Sequence, residues 1–226
     1  MKYLSHTRTK TFKQCPLKAK LAYIDKIAAP QNEALARGNA VHKEIENFLV
    51  GKIKRMSSAI KHQDYIKALY KRNGGKGLVE YGMYFDYLLS PIGKDTYLRY
   101  GGVQIKADYI FMEKDSAVIV DWKTGKHSPY AQSDYVEQLE MYAVALFRQY
   151  PKLKNVEVVI YFVDSGTEVA TAYTKKQADK IHKELVLEFD GILKEKKYIP
   201  TPNRLCEWCH YRKSNKECGG GQCKFG

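Results

Sequence analysis

The sequence predicts an α/β fold with a mixed central β-sheet flanked by helices, on three observations. Five stretches have the alternating or apolar character of strands: 78–89, 101–112, 116–123, 155–164 and 168–174. Three others, 33–50, 133–150 and 175–195, repeat their apolar residues with the period of a helix. The order is helices, three strands, a helix, two strands and a final helix, which suits a sheet covered on its faces. A chain of 226 residues can bury one sizeable core with appendages.

Each element has its own signature. Residues 5–27 place Phe12, Leu17, Leu21 and Ile24 among basic residues, consistent with a short helix broken or restarted at Pro16. In 33–50, Val41, Ile45, Phe48 and Leu49 form the stripe, with His42 beside it and Gly38 one turn earlier. A histidine next to an apolar face serves structure more often than chemistry. Residues 57–72 read as a further helix and Asn73–Gly77 as a turn. From Leu78 to Leu89, alternation sends Val79, Tyr81, Met83, Phe85, Tyr87 and Leu89 to one face and Glu80 to the more polar one. In 133–150 the predicted stripe is Val136, Leu139, Tyr142, Ala143, Leu146 and Phe147, and Gln138 shares a face with Tyr142. The last helix buries Ala178, Ile181, Leu185, Phe189 and Ile192.

The stretch 101–125 carries the chemistry. Two strands joined by the polar turn Glu113-Lys114-Asp115 read as a hairpin, with Asp108 on the first strand and Asp121 and Lys123 near the end of the second. Asp121 and Lys123 are two apart and leave one face of the sheet. Two carboxylates brought together repel unless a cation separates them, and hard oxygen ligands suit Mg²⁺ or Mn²⁺. A solvated strand end with an ordinary ion pair would have the same local pattern.

Charge and the carboxyl-terminal tail set the partners. Net charge is +13, from 38 basic and 25 acidic residues, which points to a polyanion and to nucleic acid before membrane. Six basic residues precede the first acidic one, Asp25, and the tail is again basic. No apolar run is long enough to span a bilayer and the amino terminus lacks the apolar core of a signal peptide, so a soluble, cytoplasmic protein is expected. Residues 200–226 have no amphipathic period but hold Cys206, Cys209, Cys218 and Cys223. A C-x2-C pair in such a segment marks a metal site. Four tail thiols would suffice for zinc, and thiols from both ends, with Cys15 from the first helix, could hold an iron–sulfur cluster.

Taken in order, these pieces resemble the RecB-type exonuclease branch of the PD-(D/E)xK nuclease superfamily. The resemblance covers nearly the whole chain: Phe12-Lys-Gln-Cys15-Pro16, Gly38-x3-His42, Glu80, Asp108, Asp121-Trp-Lys123-Thr-Gly125, Gln138-x3-Tyr142 and the cysteine-rich tail. Similar sets occur in RecB- and AddB-type nuclease domains, CRISPR-adaptation nucleases and phage exonucleases. The compact length without a G-x4-G-K-[ST] motif is nearest the free-standing phage type, and the insertion at 52–77 is longer than in the CRISPR-associated group.

The resemblance implies a restriction-endonuclease-like core over 1–199 and a cysteine-rich metal-binding tail over 200–226. It implies Mg²⁺ or Mn²⁺ at Asp108 and Asp121, with His42 and the Trp122 carbonyl, and with Glu80 as an outer ligand. Lys123 would position the attacking water, while Gln138 and Tyr142 would brace Lys123 or touch a phosphate. A [4Fe-4S] cluster would be held by Cys15, Cys206, Cys209 and Cys218, with Cys223 as an alternative ligand and zinc as an alternative metal. The implied activity is DNA exonuclease cleavage to 5′-phosphate and 3′-hydroxyl ends in a bacterial or phage-infected cell. DNA, as single strands or duplex ends, would be its partner, with replication or recombination proteins beside it and no membrane. A structure-selective endonuclease with the same site is the second reading. A non-catalytic nucleic-acid-binding module with a structural metal is the third.

Overall fold

The computed structural model describes residues 1–30, 32–128, 132–215 and 220–225. A six-stranded mixed sheet is built around one long strand, β3 (Gly102–Glu113). The short β1 (Tyr3–Leu4) runs parallel to the start of β3, and β2 (Leu78–Phe85) lies antiparallel along most of it. β4 (Ser116–Lys123) returns antiparallel after the turn at Lys114 and Asp115. β5 (Asn155–Phe162) adds parallel to β4, and β6 (Thr167–Thr174) closes the order antiparallel to β5.

Two cores sandwich this sheet. On one face α6 (Gln132–Gln149) and α7 (Lys175–Lys194) pack over Met83, Phe85, Ile105, Ala107, Ile119, Val158 and Ile160. On the other, α3 (Glu33–Leu49) and α4 (Asp64–Arg72) cover Tyr109, Phe111, Val118, Val120 and Trp122. Within β4 the alternation is clean, with Ala117 and Ile119 in the first core and Val118, Val120 and Trp122 in the second. Asp121 therefore leaves the sheet on the side of α6.

The amino-terminal helices form as their caps dictate. Ser5 accepts the Arg8 N–H to start α1 (His6–Gln14). Cys15 both ends α1 and precedes α2 (Pro16–Tyr23), whose first residue is a proline with no N–H to waste. The predicted break at Pro16 thus falls where the structure has it. At the other end, Thr174 and Gln177 form a reciprocal capping box for α7.

Several expectations are corrected. β1 and the short helix α5 (Lys94–Tyr100) carry too few residues for a periodic signal. The helix expected over 57–72 begins only at Asp64, because Met56 and Ile60 enter the core from irregular chain. Val136 is exposed, whereas α6 is buried almost all round from Met141 to Phe147.

The most consequential correction concerns 78–89. Tyr81, Met83 and Phe85 face the first core, but Val79 packs on the second. β3 makes the same switch: Val103, Ile105 and Ala107 belong to the first core, Tyr109 and Phe111 to the second. The two strands change faces together between Val79 and Tyr81 and between Ala107 and Tyr109, so the break falls at Glu80 and Asp108.

Candidate active site

The break is where the site opens. Glu80 has φ +52°, a left-handed conformation that costs a residue with a side chain about 1–3 kcal/mol. The β3–β4 ladder stops at the Tyr109–Val120 pair, while β4 continues beside β5 as far as Lys123. A notch is left between the ends of the paired segments. Asp108 fills it, its Oδ2 accepting the Trp122 N–H at 2.7 Å.

Helix α3 delivers His42 to the same place, its Nδ1 3.4 Å from Asp108 Oδ2. Ligand atoms of His42, Glu80 and Asp108 all lie within 4.8 Å of one another, the one such group among the described residues. Two carboxylates and an imidazole are a donor set for a hard or borderline divalent cation. They line a cavity of about 430 Å³ with Gly38 and Thr124. A Cβ at Gly38 would lie 3.4 Å from Thr124 Oγ1, in ordinary contact, so α3 comes close to the end of β4 here.

Asp121 sits beside this group, only 5% exposed. Gln138 Nε2 donates to its Oδ1 at 2.8 Å. Tyr142 Oη lies 2.8 Å from the same oxygen and 3.0 Å from the Lys106 carbonyl, and its single proton serves one of the two. Lys123 Nζ is 2.6 Å from Asp121 Oδ2, an ion pair by distance. With Lys123 as its partner, that buried carboxylate oxygen still keeps a further lone pair that could face a cation. Gln138 and Tyr142 therefore brace Asp121, and no hydrogen bond joins either to Lys123 among the contacts described.

The electrostatics follow from burial and like charge. Desolvation first, then the Asp121 charge, raises the Asp108 carboxyl above its ordinary range, against the pull of His42. For His42, burial opposes the charge, but the Asp108 contact outweighs it and raises the imidazole. Lys123 is likewise held above its usual value, because Asp121 overcomes the burial penalty. Burial followed by the two carboxylates pushes Tyr142 far up, so it is a neutral donor.

Two site residues were missed by sequence reasoning. Lys106 is paired with Glu80, and its carbonyl receives Tyr142. It lies two positions before Asp108 on one strand, so the period of two could have found it. Asp164, after β5, accepts the Gly125 N–H at 2.6 Å and a bidentate pair from Arg37 at 2.6 and 2.8 Å. Nothing in its local sequence marks it.

The cysteines gather more loosely. Cys15, Cys206, Cys209 and Cys223 line one cavity between α2 and the tail. No three of their sulfurs come within mutual ligand spacing. Cys218 lies outside the described residues. The tail is tied to the amino-terminal helices by Asn203 Nδ2 on the Gln14 carbonyl, at 3.1 Å, and by Tyr211 Oη on the Ile27 carbonyl, at 2.7 Å.

A sheet broken over a carboxylate pair, with a lysine two residues beyond, is an arrangement suited to holding a divalent cation beside a fixed positive charge. The model of the PD-(D/E)XK nuclease superfamily matches residues 3–76 and 79–214, and the chain belongs to that superfamily. Members use divalent metals, and the His42–Glu80–Asp108 group is present for one. The chain is similar in fold to a candidate exonuclease from Eubacterium rectale. The two share 12% identity and a TM-score of 0.56 over 92% of this chain and 87% of that one. A second solved structure, of a protein designated SSO0001, shares 16% identity over 92% of this chain and 83% of the other, with a TM-score of 0.47. No curated protein matches. Among the described residues no helix is long and apolar enough to cross a membrane.

The raised Asp108 carboxyl makes a stability prediction for metal-free protein. A folded-state value above the ordinary 3.8 means that the folded form holds the proton more tightly. The corresponding stability is complete below 3.8 and is lost as pH rises through the folded value. Asp108→Asn should therefore melt at or above wild type at neutral pH without metal. That advantage should vanish on acidification, and the melting temperature should no longer respond to Mn²⁺. Thermal melts across pH, with and without Mn²⁺, check this; a metal-free variant several degrees less stable at neutral pH would refute it.

Proposed function

We propose that this chain is a Mg²⁺- or Mn²⁺-dependent DNA exonuclease that leaves 5′-phosphate and 3′-hydroxyl ends. The observation that supports the reading most is the notch at Asp108, where His42 and Glu80 bring ligand atoms beside that carboxylate and the Asp121–Lys123 pair lies near enough for its charges to act on it. Asp108, Asp121 and His42 would hold the cation together with the Trp122 carbonyl, and Glu80 would join as a direct or outer ligand. A cation bound there supplies Lewis acidity toward the scissile phosphate and activates water.

The protein's own groups do the rest. Lys123, charged and half-buried, would face the phosphate and offset negative charge that develops on it. Gln138 and Tyr142 fix the Asp121 carboxylate through Oδ1, leaving Oδ2 directed at the cation and Lys123. Glu80 is tethered by Lys106, which sets how far it reaches into the notch. The excess of basic residues would hold the DNA by its phosphates. We place the activity in the cytoplasm of a bacterial or phage-infected cell, in replication, recombination or repair. Residues 1–199 would be the catalytic core and 200–226 the metal-binding appendage.

Asp108→Ala and Asp121→Ala should each abolish turnover, and Lys123→Ala should lower it about 10²–10³-fold, as expected for one stabilising donor. Labelled linear DNA and closed circles with Mg²⁺ or Mn²⁺ provide the assay. Mg²⁺-dependent turnover surviving in Asp121→Ala would reject the site, and cleavage of circles would favour the endonuclease reading.

For the tail we propose a soft-metal centre, supported by four thiols from both chain ends around one cavity. Protein purified without oxygen is expected to be brown, and Cys15→Ala to lose colour and stability. A colourless protein carrying one zinc, with Cys15→Ala like wild type, would place the centre wholly in the tail.

A further inference from the structure

A second opening adjoins the notch. The notch cavity is lined by Gly38 and Thr124, and their immediate chain neighbours, Arg37 before Gly38 and Gly125 after Thr124, line a larger cleft. The cleft holds about 780 Å³ and is walled by Arg37, Lys61, His62, Lys126 and His127, with Asp164 as its one carboxylate. Asp164 is already committed, to the Gly125 N–H and to Arg37. Arg37, then the Gly125 N–H, hold its carboxyl below the ordinary range, and Lys61 adds to this. The charge left over belongs to Lys61 and Lys126, both exposed.

The wall carrying Lys61 is anchored. It comes from residues 52–77 after α3, the stretch that is longer here than in the CRISPR-associated group the chain resembles. Ile60 is fully buried in the second core. His62 N–H donates to the Val163 carbonyl at 3.3 Å, and the His62 carbonyl accepts Tyr161 Oη at 3.4 Å. The His62 ring also rests on Gly166, where a Cβ would come 2.7 Å from His62 Nδ1, and φ is +70°. Lys61 is thus held between two fixed neighbours, its backbone set against the end of β5. Lys126 lines the same cleft, three residues beyond Lys123.

We infer that this cleft is the track along which the DNA strand passes beyond the scissile phosphate, with Lys61 and Lys126 on successive stretches of its backbone. The inference rests on the nuclease reading above and adds a location to it. The chemistry suits a phosphodiester backbone: two exposed lysines at one cleft whose single lining carboxylate is already paired with Arg37. The insertion would then serve as the outer wall of the track.

The test is the double variant Lys61→Glu/Lys126→Glu, compared with Lys176→Glu/Lys183→Glu on exposed positions of α7. Binding of a fluorescent single-stranded oligonucleotide is measured across salt concentrations in Ca²⁺. Loss of the cleft lysines should weaken binding at least about 10-fold at low salt and make the slope of log K against log salt shallower by roughly 1.4, two contacts at about 0.7 each. The α7 pair should leave the slope within about half a unit. Circular dichroism and Mn²⁺ affinity unchanged from wild type exclude misfolding as the cause. Equal slopes for wild type and the cleft variant, or an equal loss in the α7 variant, overturn the track while leaving the nuclease reading intact. Wild-type protein that neither binds the oligonucleotide nor cleaves DNA overturns both.

Discussion

Everything in this site depends on the coordinated change of face at Glu80 and Asp108. A regular pair of strands would keep each side chain in its alternating place, and the two residues would be absorbed into the sheet surface. Because β2 and β3 switch cores together, Val79 and Tyr109 serve one face and Tyr81 and Ala107 the other. Glu80 carries the cost as a left-handed residue. Strain of this kind persists only where the surroundings over-determine it, and here two cores pin the strands on either side.

The second requirement is a way to keep carboxylates together away from water. Asp121 is nearly inaccessible, and Asp108 is raised by burial and by its neighbour. Each is paired with its own partners: Asp108 with the Trp122 amide and His42, Asp121 with Gln138, Tyr142 and Lys123. Helices from opposite faces supply these partners, α3 from one and α6 from the other. The sheet and its two covering layers are therefore all needed to hold one small volume. Close approach of α3 at Gly38 and the Arg37–Asp164–Gly125 contacts fasten that arrangement to the chain just beyond Lys123.

Much of this was legible in the sequence, for reasons that differ by element. The hairpin carrying Asp108, Asp121 and Lys123 is visible because β4 is buried on both faces and its turn is polar. Helices α3, α6 and α7 show the period of an element half-buried against a sheet. Gln138 and Tyr142 are placed correctly on one face of α6, but that they hold Asp121 depends on which sheet face β4 presents to them. Three things were not legible. The face switch at Glu80 hides in a stretch whose apolar residues alternate without interruption from Val79 to Leu89, which reads as one regular strand face. Met56 and Ile60 are buried without helical structure, so a local pattern mistook their segment for a helix. Asp164 gains its role from residues 39 and 127 positions away, which no local pattern records.

The central claim is that the break in β2 and β3 builds a cation site at Asp108. Crystals soaked in Mn²⁺ and measured for anomalous scattering test it most directly. The account predicts a single strong peak in the notch, within coordination distance of Asp108 and Asp121 oxygens and of His42 or Glu80. Ordered protein at saturating Mn²⁺ with no peak there, or with the ion bound only elsewhere, would contradict it.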